Sequence, residues 1–399
     1  MDLIGWAIFI VALLVSVMLH ETGHFVVAKR FGMKVTRYFV GFGPTIWSTW
    51  RGETEYGIKA LPFGGFCKIV GMHSLDDPDD PADEPRSFRN KPGWQRILVL
   101  LAGSAMHFLL ALLLIFGLAL GVGIANDNTQ VGTLSPCVPV SLTAYDNSSC
   151  AGSHQTSPAK LAGLRLGDVV TAIDGRPVSN FTQLTDLIRA QRPGTPVTIT
   201  VRRDGKPVTL HAKLANVSGR SGSYLGMAPS GVVFQLASPL GAIQYSGATF
   251  GQVLVGSAQA VAQLPGGLHD LFSKNRSQTS AGQVTSIYGA AQITSAEVAA
   301  NVGWRYKVSF VLLLIASLNI FFGAFNLLPL LPLDGGHIAV IVYERIRAWF
   351  ARLRGRPDPG LVNMAKVLPV SFSLFMVIVI FSVVLIVADV VNPISLTGG

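Results

Sequence analysis

The run His20-Glu21-Thr22-Gly23-His24 places two imidazoles and one carboxylate in an H-E-x-x-H pattern. On a helix, positions i and i+4 share one face, so both imidazoles can reach one metal ion. Glu21 lies beside them, where its carboxylate can take a proton from a water that the metal activates. The pattern therefore predicts metal-assisted hydrolysis, with His20 and His24 as ligands and Glu21 as the catalytic base.

A third ligand has to be found, because zinc hydrolases usually bind the metal through three protein groups and keep one position open. Soluble H-E-x-x-H-x-x-G-x-x-H enzymes have a histidine where this chain has Arg30. Glu53 and Glu55 lie in a polar stretch downstream. Asp334, in NLLPLLPLDGGH (326–337), is the better candidate, because it lies at the end of an apolar run at a depth that can match that of the two histidines. We therefore predict a site that holds Zn²⁺.

The same proline-rich segment holds a candidate substrate contact. Pro329 and Pro332 interrupt any helix there, and broken backbone at membrane depth is tolerated where it is buried in protein or lines a cavity. Asn326 is a candidate to donate a hydrogen bond to a substrate carbonyl or an oxyanion. An equal alternative is that its amide satisfies helix carbonyls freed next to Pro329.

Four long apolar runs must position these residues. They span about 3–27, 97–125, 308–333 and 367–391. Half of the chain is hydrophobic, only 13% is charged, and the mean hydropathy is +0.47. Each run approaches or exceeds the roughly 20 residues that cross a bilayer core. The start of the chain is not basic, which favours a retained helix over a signal peptide. These features predict a polytopic α-helical membrane protein with four transmembrane helices.

Basic residues flank the runs on one side, and cytoplasmic loops are the ones that carry such an excess. They are Lys29, Arg30, Lys34, Arg37, Arg86, Arg89, Lys91, Arg96, Arg345, Arg347, Arg352, Arg354, Arg356 and Lys366. This distribution predicts a multi-pass protein whose two termini, and the segment between the second and third runs, are extracytoplasmic. It puts the metal site near the cytoplasmic side. The net charge of +9 is then a topology signal and not a nucleic-acid footprint.

The extracytoplasmic segment begins with a predicted α/β domain, residues 126–215. SPAKLAGLRLGDVVTAIDGRPV (157–178) precedes a helix pattern, FTQLTDLIRA, and two strand patterns around an Asp-Gly turn. This order resembles a PDZ domain, whose sheet edge binds extended peptides. The resemblance rests on Gly163, Leu164, Gly167, Asp168, Ile173 and Gly175, and it implies a groove near Gly163 and Leu164. The alternative is a spacer whose groove binds nothing.

Residues 216–305 are rich in Gly, Ser and Ala with weak periodicity, which predicts a linker with an amphipathic surface helix. The protease-like core would then consist of residues 1–125 and 306–399. Cys137 and Cys150 both fall in the extracytoplasmic segment, where an oxidising exterior allows a bridge. Two free thiols are the alternative. Cys67, on the cytoplasmic side, is predicted to be unpaired.

These motifs together resemble the site-2 protease family of intramembrane zinc metalloproteases, peptidase M50 type, and its mycobacterial-type members with one PDZ domain in particular. GFGPTIWS (41–48) and YGIKALPFGGFCKI (56–69) resemble the family's membrane-associated β-hairpin, here within 35–75. Gly64 and Gly65 could add a strand to an unwound substrate, or the hairpin could only plug a gap facing the bilayer. One departure is Gly103-Ser-Ala-Met-His107, where the family usually has Gly-Pro-x-x-Asn.

The resemblance implies cleavage of single-span membrane proteins, commonly anti-sigma factors that a site-1 protease has already trimmed. Such regulated intramembrane proteolysis serves transmembrane stress signalling at the cell membrane. Two other classes are a metal-dependent transporter and a membrane scaffold. A transporter is expected to show two related halves, and no internal repeat is evident. A scaffold has no use for Glu21.

Overall fold

The computed structural model describes residues 3–72, 80–139, 155–217, 222–267, 271–272, 285–362 and 364–392. Two compact units emerge: a membrane unit, which comprises the described residues up to Leu120 and from Ser238 onward, and a sheet unit from Gly121 to Ala237. The helices are α1 (Leu3–Arg30), α2 (Gly93–Gly121), α3 (Pro158–Leu161), α4 (Phe181–Ala190), α5 (Pro239–Gly267), α6 (Ile287–Ala299), α7 (Trp304–Asn326), α8 (Asp334–Leu353) and α9 (Met364–Val391). The strands are β1 (Val35–Arg51), β2 (Thr54–Ile69), β3 (Ile124–Asp127), β4 (Val131–Leu134), β5 (Val169–Ile173), β6 (Arg176–Pro177), β7 (Pro196–Arg203), β8 (Lys206–Lys213), β9 (Met227–Pro229) and β10 (Val232–Gln235).

Four helices of the membrane unit are long and apolar enough to cross a bilayer. They are Leu3–Arg30, Gly93–Gly121, Trp304–Asn326 and Ser371–Val391 within α9. Their surfaces are mostly apolar and unpacked against protein, as a lipid-facing helix requires. The predicted polytopic helical class is confirmed.

Helices α1 and α2 approach each other almost backbone to backbone. A Cβ added to Gly23 would lie 2.4 Å from the Ala102 carbonyl oxygen, so only glycine fits at this crossing. At the other end of α1, a Cβ on Gly5 would lie 2.6 Å from the Ser295 Cα of α6. Small residues allow such close packing where no hydrophobic effect drives helices together in lipid.

The third membrane helix ends earlier than the predicted limit at residue 333. Helix α7 ends at Asn326, and a new helix starts at Asp334 after a tight turn. The prolines in the turn lack the amide that continues a helix. A Cβ on Gly335 would lie 2.3 Å from the Leu327 carbonyl oxygen, so the turn closes only over glycine. The break was expected, but the 20-residue helix α8 was not.

Strands β1 and β2 form the predicted hairpin, and the hairpin folds back on itself. Residues 37–40 pair on one side with residues 55–58 and on the other with residues 65–68. The hairpin docks on α1 through Tyr38, whose hydroxyl lies 3.1 Å from the Met18 carbonyl oxygen and 2.8 Å from Thr22 Oγ1. This docking holds the strand of residues 65–68 beside the H-E-x-x-H turn.

The sheet unit contains a four-stranded sheet in the order β6-β5-β7-β8, with α4 covering its core through Leu184 and Ile188. Two short antiparallel pairs, β3 with β10 and β4 with β9, bring the chain after residue 222 back onto its beginning. The unit therefore extends past the expected end of the domain at residue 215. Strands β9 and β10 have three and four residues, which is too short to show a periodicity, so the sequence pattern put them in the predicted linker.

The rest of the expected linker also differs from the prediction. Helix α5 has 29 residues and packs on α7 within the membrane unit. Its Phe250 ring also contacts the Phe108 ring of α2, with the two ring centroids 5.4 Å apart. Helix α6 packs on α1, and its N-cap Ser286 donates both its amide and its hydroxyl to Asp389 of α9. Small residues dominate both helices, which hid their periodicity.

Candidate metal centre

Three candidate ligands converge in the C-terminal half of α1. His20 and His24 lie one turn apart on its buried face, and Asp334 is the first residue of α8. Their ligand atoms lie within 4.8 Å of one another, and no other such group of His, Cys, Asp or Glu occurs among the described residues. The two segments are more than 300 residues apart in the chain, so the fold itself assembles the predicted triad.

The distances among the three ligand atoms fit a tetrahedral metal. His20 Nε2 and His24 Nε2 are 3.0 Å apart, and Asp334 Oδ2 lies 3.4 Å and 3.3 Å from them. Zinc bonds of about 2.0–2.1 Å in tetrahedral geometry separate ligand atoms by about 3.3 Å. Asp334 Oδ2 is also buried with no hydrogen-bond partner in the part of the chain that the structure describes. The residues therefore fit zinc, and one carboxylate oxygen lacks any other partner.

His24 is held in the tautomer that a metal needs. Its Nδ1 lies 2.7 Å from the Val99 carbonyl oxygen, which can only accept a hydrogen bond. Nδ1 therefore carries the proton, and the Nε2 lone pair faces His20 and Asp334. A backbone partner of this kind fixes the ring orientation of metal-ligating histidines.

Gly103 of α2 makes room for both imidazoles. A Cβ at this position would lie 2.5 Å from His24 Nε2 and 2.6 Å from His20 Cε1. Real Cβ contacts are never this short, and the rings cannot retreat because both are buried. The glycine is thus part of the wall that sets where the ligands stand.

Glu21 lies between the ligands and the hairpin. A Cβ on Gly65 would lie 3.7 Å from Glu21 Cγ and 2.9 Å from the Phe39 carbonyl oxygen, so the strand passes directly beside the carboxylate. Gly64 adopts a left-handed conformation, with φ near +80°, and its missing side chain leaves space for the Phe42 ring. The predicted base and the predicted substrate strand are therefore neighbours.

A buried polar network next to the ligands was missed by the sequence analysis. His107 Nδ1 lies 2.8 Å from Asn319 Oδ1, and Asn319 Nδ2 donates to Ser16 Oγ and to the Ile315 carbonyl oxygen. The His107 ring stands 5.0 Å from the His20 ring. Polar residues inside apolar runs default to a functional interpretation, and that rule could have selected these residues.

The remaining predicted residues lie elsewhere. Asn326 ends α7, and its side chain makes no hydrogen bond among the described residues, so the freed carbonyls near Pro329 are not its partners there. Gly163 has a φ of +77°, whereas the Leu164 side chain is buried in the core of the sheet unit and only its backbone is left for a groove. Cys137 is disulfide-bonded, and Cys150, its predicted partner, lies outside the described residues.

Comparison with known proteins decides the family. The model of Peptidase family M50 matches residues 8–357. The chain belongs to peptidase family M50. It is 38% identical over 408 residues to zinc metalloprotease Rip1 of Mycobacterium tuberculosis (strain Erdman), covering 98% of both chains. It is 37% identical over 411 residues to zinc metalloprotease Rip1 of Mycolicibacterium smegmatis, again covering 98% of both.

The M50 protein is thus a zinc metalloprotease of the site-2 type, with several membrane helices. A solved PDZ domain of the SdrC-like protein from Listeria monocytogenes is 21% identical over 24% of this chain and 90% of that one. The TM-score of that match is 0.17.

Proposed function

We propose that the protein hydrolyses peptide bonds within transmembrane segments, with His20, His24 and Asp334 as the ligands that hold zinc. The observation that carries the proposal is the set of three ligand atoms 3.0–3.4 Å apart at membrane depth. Glu53 and Glu55 are not in that set. Glu53 instead pairs with Lys29 at 2.6 Å and with Arg86 at 2.7 Å.

Glu21 is the acid–base group of this proposal. Zinc, when bound, polarises the scissile carbonyl and favours attack by water. Glu21 takes the proton of the attacking water and passes it to the leaving amine, the usual role of a positioned carboxylate. Its position between the ligands and the hairpin supports this role, since a substrate strand beside Gly65 would present its carbonyl there.

The hairpin is proposed to receive the substrate at the membrane surface. The hairpin exposes six large apolar residues, namely Phe42, Ile46, Trp47, Trp50, Ile58 and Leu61. Such a surface is suited to lipid. A substrate helix must unwind before hydrolysis, and its freed amides need ladder partners that a strand at Gly64 and Gly65 can supply.

The sheet unit is proposed to be an extracytoplasmic PDZ domain that filters substrates. The order of β5, β6, α4, β7 and β8 supports this proposal, as does the glycine-rich turn around Gly163. Both termini would then be extracytoplasmic, and the metal site would lie near the cytoplasmic face, as the arginine and lysine distribution indicates. Substrates cut first by a site-1 protease would fit the groove through their new ends.

The proposed substrates are single-span membrane proteins, with anti-sigma factors as the first class to test. The likeness to mycobacterial zinc metalloproteases across 98% of the chain supports membrane-bound protein substrates in general, and the anti-sigma class comes from the resemblance in the sequence. Cleavage would release a cytoplasmic fragment and so carry a stress signal across the membrane.

A cleavage assay with the purified protein and a single-span anti-sigma factor in detergent tests the proposal. We expect products whose masses place the cut inside the span, loss of cleavage after zinc is chelated, and recovery when zinc is added back. Intact substrate in the presence of bound zinc would contradict the proposal and favour a transporter or a scaffold.

A further inference from the structure

Helix α8 packs against protein on one face only. Ile341, Glu344 and Ala348 form its buried stripe. Glu344 accepts hydrogen bonds from Arg96 Nη1 at 3.0 Å and from the Val362 amide at 2.9 Å. These contacts tie the buried face to α2 and to the segment that leads into α9.

The opposite face of α8 is a stripe of six large apolar side chains, each between 42% and 64% exposed. The stripe consists of Val342, Tyr343, Ile346, Trp349, Phe350 and Leu353. Their spacing of i, i+1, i+4, i+7, i+8 and i+11 puts them on one side of a helix. An apolar surface of this extent in a folded chain marks an interaction site.

Lipid is the occupant that the position and charge of α8 favour. The helix connects two helices that are long and apolar enough to cross a membrane, α7 and α9, as a helix at the bilayer surface would. Its charged residues, Glu344 and several arginines, disfavour a position across the apolar core of the bilayer. Trp349 and Tyr343 are of the types enriched where acyl chains meet headgroups. Exposed arginines edge the stripe and follow its end, and they complement anionic headgroups; they are Arg345, Arg352, Arg354 and Arg356.

We propose that α8 is an interfacial helix that inserts its apolar stripe into the cytoplasmic leaflet and binds anionic phospholipid headgroups through these arginines. The first residue of α8 is Asp334, so lipid contact along the helix holds the element that carries a candidate zinc ligand. The proposal goes beyond the proposed proteolysis and does not depend on it, because both measurements below read lipid contact and not cleavage.

Spin-label accessibility in the full chain tests the insertion. Labels are placed at Phe350→Cys on the stripe and at Arg356→Cys beyond the helix end, in a Cys67→Ser background whose own signal is subtracted. In phosphatidylcholine–phosphatidylglycerol nanodiscs, we expect the first label to be relaxed by oxygen and shielded from a water-soluble nickel chelate, and the second to show the reverse. Equal exposure of both labels to nickel would overturn the proposal.

Headgroup selectivity tests the arginines. Spin-labelled phosphatidylglycerol and phosphatidylcholine are compared for association with the full chain. Wild type should prefer phosphatidylglycerol roughly fivefold or more, the factor that one arginine supplies at an anionic surface. The variant Arg352→Gln/Arg354→Gln/Arg356→Gln should lose most of this preference.

A control variant with the same loss of charge changes three exposed arginines of the sheet unit, Arg176→Gln/Arg192→Gln/Arg202→Gln, and it should keep the preference. Equal selectivity in wild type and the α8 variant, or an equal loss in the control, would refute headgroup binding by α8. All six positions are exposed, so neither triple variant removes a buried contact.

Discussion

At the scale of single residues, the site depends on buried polar atoms whose partners leave them no choice of orientation. The Asn319 amide must point its Nδ2 at the Ile315 carbonyl oxygen, which can only accept, so Oδ1 faces His107. His107 Nδ1 therefore carries the proton. The ring beside His20 is fixed in both rotation and tautomer by an atom of another helix.

Replacement of Asn319 by Ala should lower the free energy of unfolding by about 1–2 kcal/mol, because His107 Nδ1 and Ser16 Oγ each lose a partner inside the membrane. Thermal unfolding in detergent measures the change. Ser373→Ala is the control, since that exposed hydroxyl donates to the Pro369 carbonyl oxygen of its own helix. An equal melting temperature for Asn319→Ala and wild type would show that the network contributes nothing.

At the scale of elements, the distance between α1 and α2 sets the ligand positions. Gly103→Ala should displace His20 or His24 and weaken zinc binding by at least about tenfold, in line with changes to groups that orient ligands. Gly117→Ala changes the same helix at a position where a Cβ meets nothing within 4 Å. Competition with a chromogenic chelator measures affinity. Unchanged affinity in Gly103→Ala would mean that the rings have room to move.

The hairpin is also held by charge. Arg86, together with Lys29, lowers the pKa of Glu53 to about 2. A carboxyl group whose pKa is lower in the folded protein stabilises the fold when the pH is above its ordinary pKa of about 4.3. This stabilisation is lost as the pH falls from about 4.3 through about 2. Glu53→Gln should therefore lower the melting temperature at pH 7 by up to about 3 °C, since the pair is partly exposed.

The difference between Glu53→Gln and wild type should narrow as the pH is lowered from 5 to 3, with melting followed by circular dichroism. A difference that stays constant over this range would assign the stabilisation to something other than the ionised carboxylate.

At the scale of the whole molecule, the basic flanks predict which side each segment faces. A reporter that is active only outside the cytoplasm should work when fused after Ser179 in the sheet unit and stay silent after Gly355, which follows α8. Reporter activity normalised to expression is the measurement. The reverse pattern would invert the topology and put the metal site near the extracytoplasmic face.

Local signals in the chain predicted the four membrane helices, the hairpin and the convergence of the three candidate ligands. A metal motif and long apolar runs are visible within short windows, and Asp334 could be selected because it ends such a run. In the structure, the contact between α1 and α8 brings Asp334 next to the two histidines.

The features that the sequence did not predict share a physical cause. The pairing of β10 with β3 joins segments about 100 residues apart, and α5 buries small residues whose hydrophobic contrast is weak. His107 and Asn319 gain their meaning only from each other, on two different helices. Such features depend on tertiary contacts, which no window along a single chain contains.

Substitution of Glu21 by Gln tests whether this carboxylate is the base of a zinc peptidase. Purified wild type and variant are compared for zinc content and for cleavage of a single-span substrate in detergent. Glu297→Gln serves as the control, because Glu297 lies in α6, which packs on the end of α1 that is remote from the ligands. We expect Glu21→Gln to keep its zinc and to lose cleavage by at least about 100-fold, the contribution of a general base. Near-normal cleavage by Glu21→Gln would contradict this role.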